Sequence, residues 1–107
     1  MVASHEAQDA ADDSHTVSRE MGCSHAEFRR TLQRTYADRQ VNWLEDGAEI
    51  MSGGGSVQVR IGPERTRRIG LLALPSTRIS LQFKGLSAAQ RAAFMEHFEL
   101  YFRRGGG

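Results

Sequence analysis

Polar and apolar residues alternate along three neighbouring stretches in the second half of the chain. A period of two that uses β-branched and aromatic residues predicts strands with one buried face. Short connectors at Gly62–Arg65 and Leu74–Thr77 carry turn residues and predict that these strands pair as an antiparallel meander. The predicted inward positions in residues 57–61, 67–74 and 78–83 are Val57, Val59, Ile61, Ile69, Leu71, Ala73, Ile79, Leu81 and Phe83.

Residues 40–51 predict a further strand less clearly. Val41 and Trp43 alternate with polar positions, and the pattern breaks at Glu45–Ala48, after which residues 50–51 either extend the strand or form a separate short one. The glycines within Ser52–Ser56 then predict a flexible hairpin loop, because glycine readily adopts positive φ. The sequence therefore predicts about four strands.

Along the chain, one helix is predicted before these strands and a second helix after them. Ser24 followed by Glu27, and Ser87 followed by Gln90, have the spacing of capping boxes. The first helix is expected to end near Arg39 and the second near Arg104, before a glycine tail at residues 105–107. Their apolar stripes are Phe28, Leu32 and Tyr36 in the first, and Phe94, Phe98, Leu100, Tyr101 and Phe102 in the second.

These elements predict an α+β fold, with the order helix, four-stranded antiparallel meander, helix. Both helices are expected on one face of the sheet, giving a two-layer sandwich. Residues 1–22 are predicted to be a disordered acidic leader, because they hold little that could be buried. Residues 23–104 are expected to form a single domain, and residues 105–107 a flexible tail.

Composition and charge narrow the class of protein. The chain has 107 residues, 39% of them hydrophobic and 25% charged, as expected for one globular domain. Its one cysteine excludes an internal disulfide. No apolar run approaches the roughly 20 residues of a membrane span, and no secretory segment stands at the N-terminus, so a cytoplasmic location is expected. Residues 1–20 carry a net charge of −4, which leaves +5 on the remainder.

Cys23, His25 and His97 are the residue types from which a catalytic or metal site could be built. A thiol at the start of a helix can be activated as a nucleophile, and the neighbouring histidine could act as its base. The pair Cys23 and His25 could also supply two metal ligands, with His97 as a third. Because two ligands do not define a site, we expect no catalytic residue, metal or cofactor. The enzyme hypothesis depends on a pocket that joins Cys23, His25 and His97.

The face of the sheet that the helices leave open is the first candidate site. Leu72 and Leu74 fall out of phase with the inward residues, and Trp43 could share their face. Apolar anchors surrounded by arginines are typical of protein–protein interfaces. The sequence thus favours a small non-enzymatic interaction module that binds a protein partner or a second copy of itself, through Trp43, Leu72, Leu74, Arg60, Arg68 and Arg78.

The same face supports an alternative, the binding of single-stranded nucleic acid. Cations on an open sheet can follow a phosphate backbone. The predicted outward residues include no aromatic side chain on which a base could stack. The residues that would carry this function are Arg60, Arg65, Arg67, Arg68, Arg78 and Lys84.

The C-terminal residues Arg103–Gly107 support a third hypothesis. A terminal Gly-Gly resembles the tails of ubiquitin-like and sulfur-carrier proteins, and the resemblance implies a carboxylate that is adenylated and then carries a thioester or thiocarboxylate. The resemblance covers these last residues alone. Those families place a hairpin before the helix, whereas this chain begins its predicted domain with a helix.

Overall fold

The chain folds into a five-stranded antiparallel sheet and two helices. The computed structural model describes residues 15–106, with side-chain surroundings described for residues 15–102. The strands are β1 (His15–Met21), β2 (Val41–Leu44), β3 (Gly47–Ser52), β4 (Gly55–Ile69) and β5 (Leu72–Lys84), and the helices are α1 (His25–Thr35) and α2 (Ala88–Gly106). Their order across the sheet is β1-β5-β4-β3-β2. The predicted α+β class is confirmed, whereas the predicted count of four strands is wrong.

The additional strand comes from the segment predicted to be a disordered leader. Residues 15–21 pair with β5 in unbroken register, from His15 opposite Phe83 to Met21 opposite Thr77. Val17 pairs with a core position of β5 and, like Met21, packs against the core. The prediction of disorder failed here because an edge strand needs few buried side chains when its neighbour supplies the hydrogen bonds. Residues 1–14, also assigned to the leader, lie outside the described residues.

The core lies between the helices and one face of the sheet. Directly paired residues of an antiparallel sheet point to the same side, and the buried strand residues fall into such rows, Ile50 with Val57 and Phe83 among them. Phe83 contacts Phe94 of α2 edge-on at 5.7 Å between ring centroids. The core residues of the sheet and helices are Ala48, Ile50, Val57, Val59, Ile61, Ile79, Leu81, Phe83, Phe28, Leu32, Tyr36, Phe94, Phe98 and Phe102.

Both predicted capping boxes are present. The hydroxyl of Ser24 accepts a hydrogen bond from the backbone N–H of Glu27, whose carboxylate accepts one from the Ser24 N–H. Ser87 and Gln90 exchange the corresponding pair of bonds at the start of α2. These reciprocal bonds satisfy backbone donors that the first turn of a helix leaves free. The local sequence thus determines where each helix begins. α1 ends at Thr35, a few residues before the predicted end.

The largest departure from the predicted meander is a long hairpin formed by β4 and β5. The predicted turn at Gly62–Arg65 is instead an irregularity within β4, where the register with β5 shifts between Ile61 and Glu64. The predicted turn at Leu74–Thr77 lies inside β5. The chain reverses at Gly70–Leu71, where Gly70 has a φ of 60° and Leu71 does not have a positive φ. That combination meets the requirement of a type II′ hairpin turn.

Two other glycine-containing segments, residues 52–56 and the C-terminal residues 105–107, were also predicted from the sequence. The predicted hairpin at Ser52–Ser56 is confirmed, with Ser52 paired to Gly55 across Gly53 and Gly54, which both have positive φ. α2 extends through Gly106, so the helix does not stop before the glycines, and Gly107 lies outside the described residues. Within residues 15–106, neither helix is long and apolar enough to cross a membrane.

Candidate functional site

The distal end of the β4–β5 hairpin projects from the sandwich as a two-stranded ribbon. We define the arm as residues 64–77, which pair from Glu64 opposite Thr77 to Ile69 opposite Leu72. At about 3.4 Å per residue, these pairs extend roughly 17 Å. Every residue from Pro63 to Leu74 is exposed. The arm is therefore held mainly by its own ladder and by contacts at its base.

The tip of the arm carries an exposed group of large aliphatic side chains. Leu71, in the turn, is fully exposed at 104% of its reference area. Ile69, Leu72 and Leu74 are 52%, 60% and 43% exposed. We call these four residues the apolar tip. A contiguous exposed apolar patch on a small protein commonly marks an interaction site.

The sequence prediction for this segment was partly right. Leu72 and Leu74 are exposed and lie on the same side of β5 as Arg78, as expected from their phase. Ile69, Leu71 and Ala73 were expected to face the core and are instead exposed on the arm. The signal that could have found the arm is Gly70, which stands between Ile69 and the apolar run 71–74, where a hairpin turn needs positive φ.

The irregularity in β4 sets the direction of the arm side chains. A Cβ at Gly62 would lie 2.8 Å from the carbonyl oxygen of Arg78, so a side chain there would force a rearrangement. Beyond this point the side chains of β4 change face, so that Arg65 and Arg67 pair with Ser76 and Leu74 on the open side of the sheet. A β-bulge changes side-chain direction in this way because it inserts residues into one strand.

The change of face also corrects the predicted position of Arg68. Arg68 pairs with Ala73, which lies in phase with the buried residues of β5, so it occupies the side of the arm that faces toward the helices. It does not share the open face with Arg60 and Arg78. Lys84 is exposed at the far end of β5, opposite Ser56 and away from the arm.

A groove of about 610 Å³ lies where the arm joins the open face of the sheet. Arg60, Arg65 and Arg78 line it, together with the acidic residues Glu20 and Asp46. Among the described residues, no carboxylate lies within ion-pair distance of these three arginines. The groove therefore offers three guanidinium groups, whose field is reduced by the two nearby acids.

The base of the arm is tied to the body by two acidic side chains. Glu20 of β1 accepts a hydrogen bond from the Ser76 hydroxyl at 2.7 Å, and this bond is the main cause that lowers the pKa of Glu20. Glu64 accepts a bond from the backbone N–H of His25 at 2.9 Å, which joins the arm to the start of α1. These contacts fix the root of the arm and leave its tip free.

Trp43 does not lie on the open face, so the prediction that it shares that face with Leu72 and Leu74 is wrong. Trp43 pairs with Ala48, and Ala48 pairs with Val59, both of which are fully buried on the side of the helices. The guanidinium of Arg29 in α1 lies 5.8 Å from the centroid of the Trp43 ring. The exposed apolar residues of the open side are therefore the isolated Leu44 and Met51 in the body of the sheet and the larger group on the arm.

The residues considered for chemistry are held by structural contacts. His25 Nε2 donates a 2.7 Å hydrogen bond to the Gly62 carbonyl oxygen. Cys23 is buried, and this burial, aided by the charges of Glu27 and Glu64, raises the pKa of its thiol. Among residues 15–106, no three His, Cys, Asp or Glu side chains are placed to hold a metal ion together.

His97 lies elsewhere, in an aromatic cluster between the two helices. Its ring is 5.5 Å from that of Tyr36 and 4.8 Å from that of Tyr101. Within the described part of the chain, His97 Nδ1 and the Tyr36 hydroxyl are buried without a hydrogen-bond partner. Burial raises the pKa of Tyr36, because an ionised phenol would lose its hydration there.

No protein-family profile, curated protein or solved structure matches the chain.

Proposed function

We propose that this protein is a small non-enzymatic interaction module that docks on a protein partner through its arm. The observation that carries the proposal is the apolar tip, four large aliphatic side chains exposed at the end of a projecting ribbon. Exposing such side chains to water is unfavourable in free energy, and a partner that buried them would remove this penalty. Burying one leucine or isoleucine contributes about 1.5–3 kcal/mol.

The charges of the arm indicate what the partner surface should look like. Arg65, Arg67 and Arg68 lie just behind the tip, and no acidic residue occurs between Arg65 and Leu74. Within the described range, the side chain of none of these arginines makes a hydrogen bond or an ion pair. An apolar cleft bordered by carboxylates would match both the tip and its basic flanks. Such complementary charges mainly increase specificity and the rate of association.

The two-stranded form of the arm is consistent with docking as a unit. An isolated hairpin is only marginally stable in water, and insertion into a cleft would add packing on both of its faces. The root of the arm is already fixed by Glu20 and Glu64, which limits the entropy lost when the tip becomes ordered on a partner.

The test replaces Leu71 with a photoreactive amino acid in cells that produce the protein natively. Leu71 suits the probe because its side chain is fully exposed, and Leu100 of α2, 52% exposed, is the matched control position. We expect a discrete protein adduct from position 71 that is lost when Leu72 and Leu74 are replaced by serine. An adduct of twice 11.9 kDa would identify a second copy as the partner. Equal adducts from positions 71 and 100 would contradict the proposal.

One observation favours a second candidate, the binding of nucleic acid on the open face. Arg60, Arg65 and Arg78 converge on the groove at the root of the arm without an ion-pair partner among the described residues. Phosphates could occupy this position, and the affinity would then fall steeply with salt. The test is oligonucleotide binding at 50 and 200 mM salt with wild type and Arg60→Gln/Arg78→Gln. An unchanged affinity in the variant would reject this candidate.

A further inference from the structure

A shallow pocket beside Trp43 combines an aromatic ring with cationic side chains, on the opposite side of the sheet from the groove. The pocket has a volume of about 360 Å³. That volume lies at the lower end of the roughly 300–1,000 Å³ usual for small-molecule sites. Its lining residues are Ala26, Arg29, Arg30, Gln33 and Trp43, and none of these is acidic.

The fold explains why this tryptophan is exposed. β2 has four residues and forms the edge of the sheet, so nothing in the sheet covers its outer side. α1 packs on the core through Phe28 and Leu32 and presents its neighbouring polar residues toward β2. Trp43 therefore remains 42% exposed beside the helix. A partly exposed tryptophan offers a large flat surface for stacking.

One wall of the pocket is fixed before any ligand binds. Arg29 donates a 2.8 Å hydrogen bond from its Nη2 to the carbonyl oxygen of Glu45, which holds its guanidinium over the Trp43 ring at 5.8 Å. That separation leaves no room for a further ring between them. A planar ligand would have to stack on the remaining exposed surface of the indole.

The rest of the pocket supplies free polar groups. Arg30 and Gln33 are exposed, and the side chain of neither makes a hydrogen bond with another described residue. Arginine binds phosphate oxygens strongly through paired N–H donors. The amide of Gln33 both donates and accepts, as recognition of the edge of a base requires.

We propose that this pocket binds a nucleoside phosphate, with the base stacked on Trp43 and the phosphate held by Arg30. A base on an aromatic ring beside arginine is the general mode by which proteins hold unpaired nucleotides. The ligand could be a free nucleotide or one unit of a single strand. The site is separate from the arm, so it can exist whether or not the arm docks on a protein.

The test uses the intrinsic fluorescence of Trp43, the one tryptophan of the chain. Adenosine monophosphate and a six-residue oligoadenylate are titrated into the full-length protein, with adenosine and ribose 5-phosphate as partial ligands. We expect saturable quenching by a phosphorylated nucleoside. The affinity for either partial ligand should be at least tenfold lower. Tighter binding of the oligoadenylate than of the monophosphate would identify a single strand as the source. Equal binding would identify the free nucleotide.

Two variants separate a specific site from general attraction of anions. Arg30→Gln should weaken binding about tenfold, the loss expected for a charge-assisted hydrogen bond. Arg34→Gln removes the same charge from the same helix outside the pocket and should leave the affinity nearly unchanged. The proposal is overturned if no phosphorylated nucleoside gives saturable quenching, or if ribose 5-phosphate binds as well as the nucleotide. It is also overturned if both variants weaken binding equally.

Discussion

The carboxylate of Glu20 accepts a 2.7 Å hydrogen bond from the hydroxyl of Ser76, and this contact joins the edge strand β1 to the root of the arm. The bond is the main cause that lowers the pKa of Glu20 below its ordinary value of 4.5. The charges of Arg67, Arg78 and Arg65 act in the same direction, and partial desolvation opposes them. The folded state therefore favours the ionised carboxylate.

This lowered pKa gives a prediction for the dependence of stability on pH. A carboxyl whose pKa is lower in the folded state stabilises the fold above its unfolded pKa, and this contribution disappears as the pH falls through the folded pKa. Glu20→Gln should be less stable than wild type in urea unfolding at pH 7 and equally stable near pH 2. Glu49→Gln serves as the control for lost charge. A Glu20→Gln deficit that persists at the lowest pH would contradict the assignment.

The exposed leucines of the arm should contribute little to folding. Leu72→Ser/Leu74→Ser is expected to change the free energy of unfolding by no more than about 0.5 kcal/mol, the usual range for surface positions. The control is Leu81→Ala, at a fully buried position of the same strand, which should lose about 2–5 kcal/mol. If the two variants lost comparable stability in chemical denaturation, the tip would have to be packed against the body.

Gly70 should control the order of the arm without affecting the core. Gly70 has a φ of 60°, where a residue with a Cβ costs about 1–2 kcal/mol. Gly70→Ala should therefore speed amide hydrogen exchange in residues 64–77 about tenfold. Exchange at Val57 and Leu81 should stay unchanged because these residues lie in the body of the sheet. Faster exchange at the core positions would show that the arm and body unfold together.

The buried thiol of Cys23 should react slowly. Its raised pKa leaves little thiolate at neutral pH, and its surroundings limit access. We expect iodoacetamide at pH 7.5 to modify native Cys23 at least tenfold more slowly than the urea-unfolded chain. Mass spectrometry of timed samples measures both rates. Equal rates would revive the hypothesis that Cys23 is a nucleophile.

The parts of the fold that were predictable from sequence depend on local signals. Ser24 with Glu27, and Ser87 with Gln90, locate the helix starts because a capping box is complete within four residues. Alternation identified the buried rows at residues 57–61 and 79–83 because both strands lie in the body of the sheet. At the helix starts and in these two strands, the local sequence is sufficient to predict the structure.

The parts that were missed depend on what a segment pairs with. Pro63 was interpreted as a turn residue, but proline is also tolerated in an irregular part of a strand. Residues 67–74 were interpreted as one strand apolar on both sides, whereas they are the two halves of a hairpin tip. The face of Trp43 depended on the register of β2 with β3. Each of these follows from a long-range pairing that periodicity alone does not specify.

The measurement that tests the central proposal most directly is amide hydrogen exchange of the protein alone and bound to the partner recovered through position 71. Docking through the arm predicts strong protection of residues 64–77 on binding, with little change at α1, α2 and the buried rows of the sheet. It also predicts that Leu72→Ser/Leu74→Ser abolishes this protection. If protection instead appears on the helices while the arm exchanges as fast as in the free protein, the arm is not the docking element.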